Sequence, residues 1–82
     1  MMHASTLQRI PRDTLASLLA HRIGLERSMQ LITESAQRLG LATADYDPEQ
    51  AAQIFEHLAG SQGALGVAAR FAKARLMLLL IS

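Results

Sequence analysis

The chain ends in a run of six consecutive apolar residues, Leu76 to Ile81. Successive residues of an α-helix are about 100° apart, so a run of this length covers more than one full turn of the helix. The whole run therefore cannot face a single core, and a chain of 82 residues has few other elements to cover the remainder. We predict that a second copy of the chain covers it, with Leu76, Leu78, Leu79 and Ile81 at the interface.

Length and composition predict one small domain without covalent or metal support. Half of the residues are hydrophobic and there is no cysteine, so neither a disulfide nor a thiolate metal site is available. A domain of this size has a thin core, and oligomerisation is a common way to stabilise one. We expect a flexible N-terminal segment, 1–11, and a single helical domain, 12–82, with neither a metal nor a cofactor.

The charges of the chain are nearly balanced but unevenly distributed along it. The net charge is only +1, which argues against a dedicated nucleic-acid binder. After Ser61 there is no acidic residue, while Arg70, Lys73 and Arg75 are basic. This indicates complementary packing against the acidic stretch 41–59, plain solvation, or a basic helix that meets an acidic partner. The chain shows no signal-peptide pattern, and its apolar run is shorter than the ~20 residues that span a bilayer. We therefore expect a soluble, cytoplasmic protein with no membrane partner.

The first predicted helix covers residues 13–39. Its apolar residues, with Arg22 filling one gap, alternate in spacing between three and four, which is typical of a helix that packs one seam in a bundle or coiled coil. Those residues are Leu15, Leu18, Leu25, Met29, Ile32, Ala36 and Leu39. Gly24 is costly within a helix, and we assign it to close packing against another helix. Gly40 ends the helix, with Leu41 folding back towards Ala36. A helix of about 39 Å is long for this domain, which again favours a second subunit.

The second predicted helix, 48–60, has the clearest local signal in the chain. Asp47 is placed as the N-cap, Pro48 as the first helical residue and Gln50 as the partner in a capping box. The apolar positions of this helix predict one buried face, made of Ala51, Ile54, Phe55 and Leu58.

The third predicted helix covers 62–81, but its start is open. The chain can break at Gly60–Ser61, or the second helix can continue and turn only at Gly66. In either case the third helix has Val67, Phe71 and Leu78 on one face and Arg70 and Lys73 on the other.

No constellation of catalytic residues is visible in the sequence. The three histidines, His3, His21 and His57, lack a second metal ligand at helical spacing. There is no phosphate-binding glycine loop, no H-E-x-x-H motif and no nucleophile elbow. We predict that the protein is not an enzyme.

The segment from Asp47 to Val67 resembles the central helix and turn of histidine-phosphotransfer (HPt) domains. The residues that match the motif are Leu58, Gly60, Ser61, Gly63, Leu65 and Gly66. Glu56 stands at the position of the acceptor histidine, His57 comes one residue late, and Ala59 replaces the usual lysine. The resemblance implies a pseudo-phosphotransfer module that docks response-regulator receiver or kinase domains without carrying phosphate. Its docking surface would include Glu56, His57, Gly60, Gly63, Arg70 and Lys73. A helix that continues through Gly60 and turns at Gly66 favours this hypothesis, and a corner at Gly60–Ser61 removes it.

Taken together, these patterns predict an all-α chain of three helices, 13–39, 48–60 and 62–81, that completes a helical bundle by dimerisation. The expected function is that of a small, non-catalytic regulatory or adaptor protein. It would act through contacts with itself and with another protein. The alternatives are the HPt-like module and a helical DNA-binding regulator that uses Arg70, Lys73 and Arg75 across a dimer.

Overall fold

The computed structural model describes residues 9–42 and 44–81, without the side chains of Arg22, Leu80 and Ile81. Within these ranges the chain forms four helices and one two-stranded antiparallel sheet. In chain order the elements are β1 (Ile10–Pro11), α1 (Arg12–Ile23), α2 (Leu25–Arg38), β2 (Asp45–Tyr46), α3 (Pro48–Ala59) and α4 (Ala64–Ile81). The radius of gyration of 12.0 Å is that of a compact domain of this length.

The prediction of one long helix over 13–39 is wrong, because the chain breaks at Gly24. This residue has φ +85° and ψ +155°, a backbone conformation that is essentially restricted to glycine. A Cβ atom added there would meet no atom within 4 Å, so backbone conformation and not close helix packing requires the glycine. The Ser28 hydroxyl donates a hydrogen bond of 2.6 Å to the Gly24 carbonyl, which helps to hold the start of α2.

The break lets α1 and α2 pack against each other within one chain. Leu15 and Leu19 of α1 and Ile32 and Ala36 of α2 are buried in the core. Leu25 is half exposed, although the sequence pattern predicted that it continues the same seam. The chain changes direction after Gly24, so a different side of α2 faces the core. The length of the predicted helix therefore no longer argues for a second subunit.

The small sheet ties the start of α1 to the segment before α3. Ile10 pairs with Tyr46, and both side chains are buried. On the surface beside them, the Arg9 guanidinium forms an ion pair with the Asp45 carboxylate. Most of the segment predicted to be flexible, 1–11, lies outside the described residues. Its last two residues form strand β1, which the sequence pattern does not predict.

The predicted cap of α3 is confirmed in detail. The backbone N–H of Gln50 donates a hydrogen bond of 2.8 Å to Asp47 Oδ1, and the backbone N–H of Asp47 donates one of 3.0 Å to Gln50 Oε1. Pro48 takes the first helical position, where its missing N–H leaves no hydrogen bond unmade. The buried face of α3 consists of Ala51, Ile54, Phe55 and Leu58, as predicted.

The turn between α3 and α4 follows the first of the two predicted breaks. Helix α3 ends at Ala59, and α4 begins only after Gly63, which has φ +74°. Gly66 lies inside α4 instead of at the turn. A Cβ atom at Gly66 would come within 2.1 Å of the Ser61 carbonyl oxygen, so the absence of a side chain lets the turn close onto the helix.

The four helices form a ring in which each packs mainly against two others. Helix α1 contacts α2 and α4, and α3 contacts α4 and α2. The face of α4 that enters this core is mostly alanine: Ala68, Ala69, Ala72 and Leu76. Because small side chains line this contact, α4 lies close to its neighbours, and its larger apolar residues are left for its other sides.

Candidate functional site

The terminal apolar run is only partly covered by the chain itself. Leu76 is 2% exposed, whereas Met77, Leu78 and Leu79 are 53%, 63% and 57% exposed. The prediction that a single chain does not hide this run is therefore confirmed for residues 77–79. The prediction that Leu76 lies at the interface is wrong, because its side chain is buried in the core of the chain itself, where a partner cannot contact it. The side chain of Ile81 lies outside the described part of the chain, so its assignment stays a prediction.

A row of exposed residues runs along the side of α4 opposite to its alanine face. Val67 and Phe71 are 41% and 58% exposed, and Ala74 and Leu78 are also exposed. The spacings of four, three and four place these residues within about 60° of one another around the helix axis. We call Val67, Phe71, Ala74 and Leu78 the outer stripe. Leu79 lies about 100° from Leu78 and does not belong to it.

The outer stripe is unusual because large apolar residues face solvent while alanines face the core. Surface helices of globular proteins normally carry their apolar side chains on one face only. Met77, which is also exposed, lies beside the stripe, and contiguous exposed apolar patches on small proteins commonly mark interaction sites. The outer stripe is therefore a candidate surface for contact with another protein.

Basic side chains flank the outer stripe. Helix α4 contains no acid and three basic residues. The Lys73 ammonium is paired with the Glu56 carboxylate of α3, whereas Arg70 and Arg75 are exposed and make no ion pair with any other described residue. Arg70 and Arg75 lie on opposite sides of the stripe, about 140° apart around the axis. The three cations therefore do not form a single basic patch on one chain, and the DNA-binding alternative, which uses them across a dimer, stays a prediction.

A groove between α1 and α4 continues the apolar surface on one side of the stripe. It has a volume of about 260 Å³, and its lining includes Leu18 and His21 of α1 together with Ala68, Phe71 and Arg75 of α4. Pockets that enclose small molecules usually measure about 300–1,000 Å³. This groove is below that range, so it fits a side chain from another protein better than a small ligand.

The predicted docking surface of the HPt-like hypothesis is brought together only in part. Gly60, Gly63 and Arg70 line one groove at the corner between α3 and α4. Glu56 points instead to Lys73, and His57 is exposed but does not line that groove. The chain turns at Gly60, the arrangement that was expected to remove this hypothesis; the resemblance itself stays a prediction.

The sequence pattern predicted one face made of Val67, Phe71 and Leu78, but neither the membership of Ala74 nor the outward direction of this face. Ala74 fills the gap between Phe71 and Leu78, and the resulting spacing of three and four is visible in the sequence. That signal does not distinguish an inward seam from an outward one, because both have the same period. The alanines at 68, 69 and 72 are the residues that occupy the core.

Two further classes of site, metal sites and membrane spans, are absent from the described ranges, 9–42 and 44–81. No three His, Asp or Glu side chains there lie close enough together to hold a metal ion. No helix in the same ranges combines the length and the apolar character needed to cross a bilayer. The chain matches no protein-family model, and comparison with curated proteins and with solved structures found no match.

Proposed function

We propose that this chain is a small, non-catalytic helical protein of the regulatory or adaptor type that acts through protein–protein contacts as a homodimer. The outer stripe of α4 is its proposed interface. The observation that carries the proposal is the exposure of Phe71 and Leu78, each more than half accessible, on a helix whose opposite face fills the core with alanine.

The driving force for this association is the removal of apolar surface from water, at roughly 25 cal/mol per Å². Lost translational and rotational freedom opposes it, so only the surplus appears as affinity. The outer stripe is about 16 Å long, the rise of the helix from Val67 to Leu78. A contact of this length buries an area at the small end of the range for specific complexes. We therefore expect a reversible dimer that dissociates on dilution.

Sedimentation equilibrium tests the proposal, run from about 1 to 500 µM so that it spans the affinities expected of a small interface. The unmodified chain should approach twice its 8.9 kDa mass as its concentration rises. Leu78→Asp should hold the mass at that of a monomer, because it places a charge within the apolar contact.

Leu25→Asp is the matched control. Leu25 is a leucine of similar exposure, 52%, but it lies at the start of α2 and outside the stripe. This variant should dimerise like the unmodified chain, and both variants should retain the helical circular dichroism signal. A monomeric mass for the unmodified chain throughout the range, or equal loss of the dimer in both variants, would overturn the proposal.

A further inference from the structure

We infer that two copies of the chain pair through α4 in an antiparallel arrangement, with a two-fold axis near the midpoint of Phe71 and Ala74. This inference rests on the proposed homodimer and assigns the orientation and register of its interface. It is drawn from the sizes of the residues in the outer stripe and from the positions of the arginines on its flanks.

The flanking charges decide the orientation. In a parallel pair of helices, a residue on one flank of the seam meets the residue five positions later on the opposite flank of its partner. Arg70 and Arg75 have this spacing and lie on opposite flanks, so a parallel pair would bring these like charges together at two symmetric places. Like charges opposed across an interface disfavour that arrangement.

An antiparallel pair separates the same charges, because residues on the same flank then face each other. With the axis near the middle of the stripe, Arg70 lies beside Met77 of the second copy, and Arg75 lies beside Ala68 of the second copy. The four-carbon stem of an arginine packs well on an apolar neighbour while its guanidinium stays in water. No arginine is then opposed by another arginine.

The sizes of the stripe residues favour the same register. About this axis Phe71 packs against Ala74 of the second copy, and Val67 packs against Leu78 of the second copy. A large residue therefore meets a small one, as in a well-packed core. A parallel pair in register would stack Phe71 on Phe71 and leave a void where Ala74 meets Ala74. The stripe is thus self-complementary in the sense that an isologous dimer requires.

A distance between two spin labels tests the orientation. The chain has no cysteine, so Gln62→Cys, in the exposed turn before α4, gives one label per copy. From the helical rise, the antiparallel pair places the two label sites about 30 Å apart. A parallel pair places them about one interhelical spacing apart, about 10 Å. The labelled protein is measured at a concentration where sedimentation shows the dimer.

Charge reversal provides a second and independent readout. In the antiparallel pair Arg70→Glu should change the dimer dissociation constant less than about threefold, since position 70 faces an apolar residue. In a parallel pair the same change would convert repulsion into attraction with Arg75, so the dimer would tighten, most strongly at low salt. Arg75→Glu is the matched variant and should behave like Arg70→Glu.

The outcomes separate this inference from the proposed function. A dimer with labels about 30 Å apart and little response to charge reversal supports the antiparallel pairing. A dimer that Leu78→Asp disrupts, but whose labels lie about 10 Å apart or whose affinity rises on charge reversal, overturns the pairing and leaves the homodimer standing. A chain that stays monomeric at every concentration, including one that binds only a different protein, overturns both.

Discussion

Replacement of Gly24 by alanine separates the broken helix of this fold from the continuous helix that the sequence pattern predicts. In a continuous helix, alanine is better than glycine by about 0.8–1.0 kcal/mol, so the variant would be more stable. In the observed structure Gly24 has φ +85° and ψ +155°, and a residue with a side chain held in such a conformation costs about 1–3 kcal/mol. The broken and the continuous helix therefore predict opposite signs for the change in the free energy of unfolding caused by Gly24→Ala.

The expected loss is large for this domain, because a single core of this size supplies only about 3–5 kcal/mol in total. Nothing lies within 4 Å of the added Cβ atom, so a steric clash does not contribute and the backbone conformation alone carries the effect. Urea unfolding followed by circular dichroism at low protein concentration, where dimerisation contributes little, gives the free energy directly.

Gly60→Ala is the matched control for this measurement. Gly60 has an ordinary helical backbone conformation, with φ −74°, and an added Cβ atom would make a normal contact at 3.4 Å. We expect this variant to be unchanged or more stable by about 0.4–1 kcal/mol, through the lower entropy of the unfolded chain. If Gly24→Ala stabilises the protein as Gly60→Ala does, the break between α1 and α2 is not the native structure.

Three further substitutions test other contacts. Burial raises the pKa of the Tyr46 hydroxyl above its ordinary value near 10, because it favours the neutral phenol in the folded protein. The stability that the neutral phenol contributes is therefore fully present below about pH 10 and is lost as the pH rises through the raised pKa. Tyr46→Phe should remove this loss of stability at alkaline pH. At neutral pH it should change the free energy of unfolding little, because the Tyr46 hydroxyl is buried without a hydrogen-bond partner among the described residues. Urea titrations at several pH values check both points, and an unchanged alkaline loss of stability in the variant would contradict the assignment. Asp47→Ala should lower the free energy of unfolding by about 0.5–2 kcal/mol through loss of the α3 cap, with Asp47→Asn as the control that keeps an acceptor; equal stability of the two variants would argue against the cap. Gly66→Ala should lower the melting temperature, by an amount corresponding to about 1–3 kcal/mol, because its Cβ atom would approach the Ser61 carbonyl oxygen to 2.1 Å; a melting temperature at or above that of the unmodified chain would show that the turn does not close onto α4.

Local signals in the sequence were sufficient to predict the helix ends that depend on a few adjacent residues. The Asp47 and Gln50 capping box is confirmed. So is the end of α2, where Gly40 has φ +74° and the Leu41 amide donates to the Ala36 carbonyl at 2.8 Å. These predictions succeed because the hydrogen bonds that make a cap lie within about five residues of one another. Residue type and spacing therefore determine them without reference to the rest of the fold.

The mainly helical character of the chain and the partial exposure of the terminal run also follow from sequence alone, whereas the two-stranded sheet does not. Six adjacent apolar residues on a helix must point in all directions, whatever the fold, and Met77, Leu78 and Leu79 are exposed accordingly. This part of the reasoning is geometric and needs no knowledge of which elements pack together.

The break at Gly24 and the outward direction of the outer stripe were decided by tertiary packing. A regular apolar spacing is compatible with a helix that continues through the glycine and with two helices that turn there, and only the gain from packing α1 on α2 selects the second. In the same way, the spacing of Val67, Phe71 and Leu78 describes a face without saying whether that face turns inward. The close contacts of α4 with α1 and α3 admit alanine in preference to larger side chains. The core therefore takes Ala68, Ala69 and Ala72, and the larger apolar residues are left on the surface.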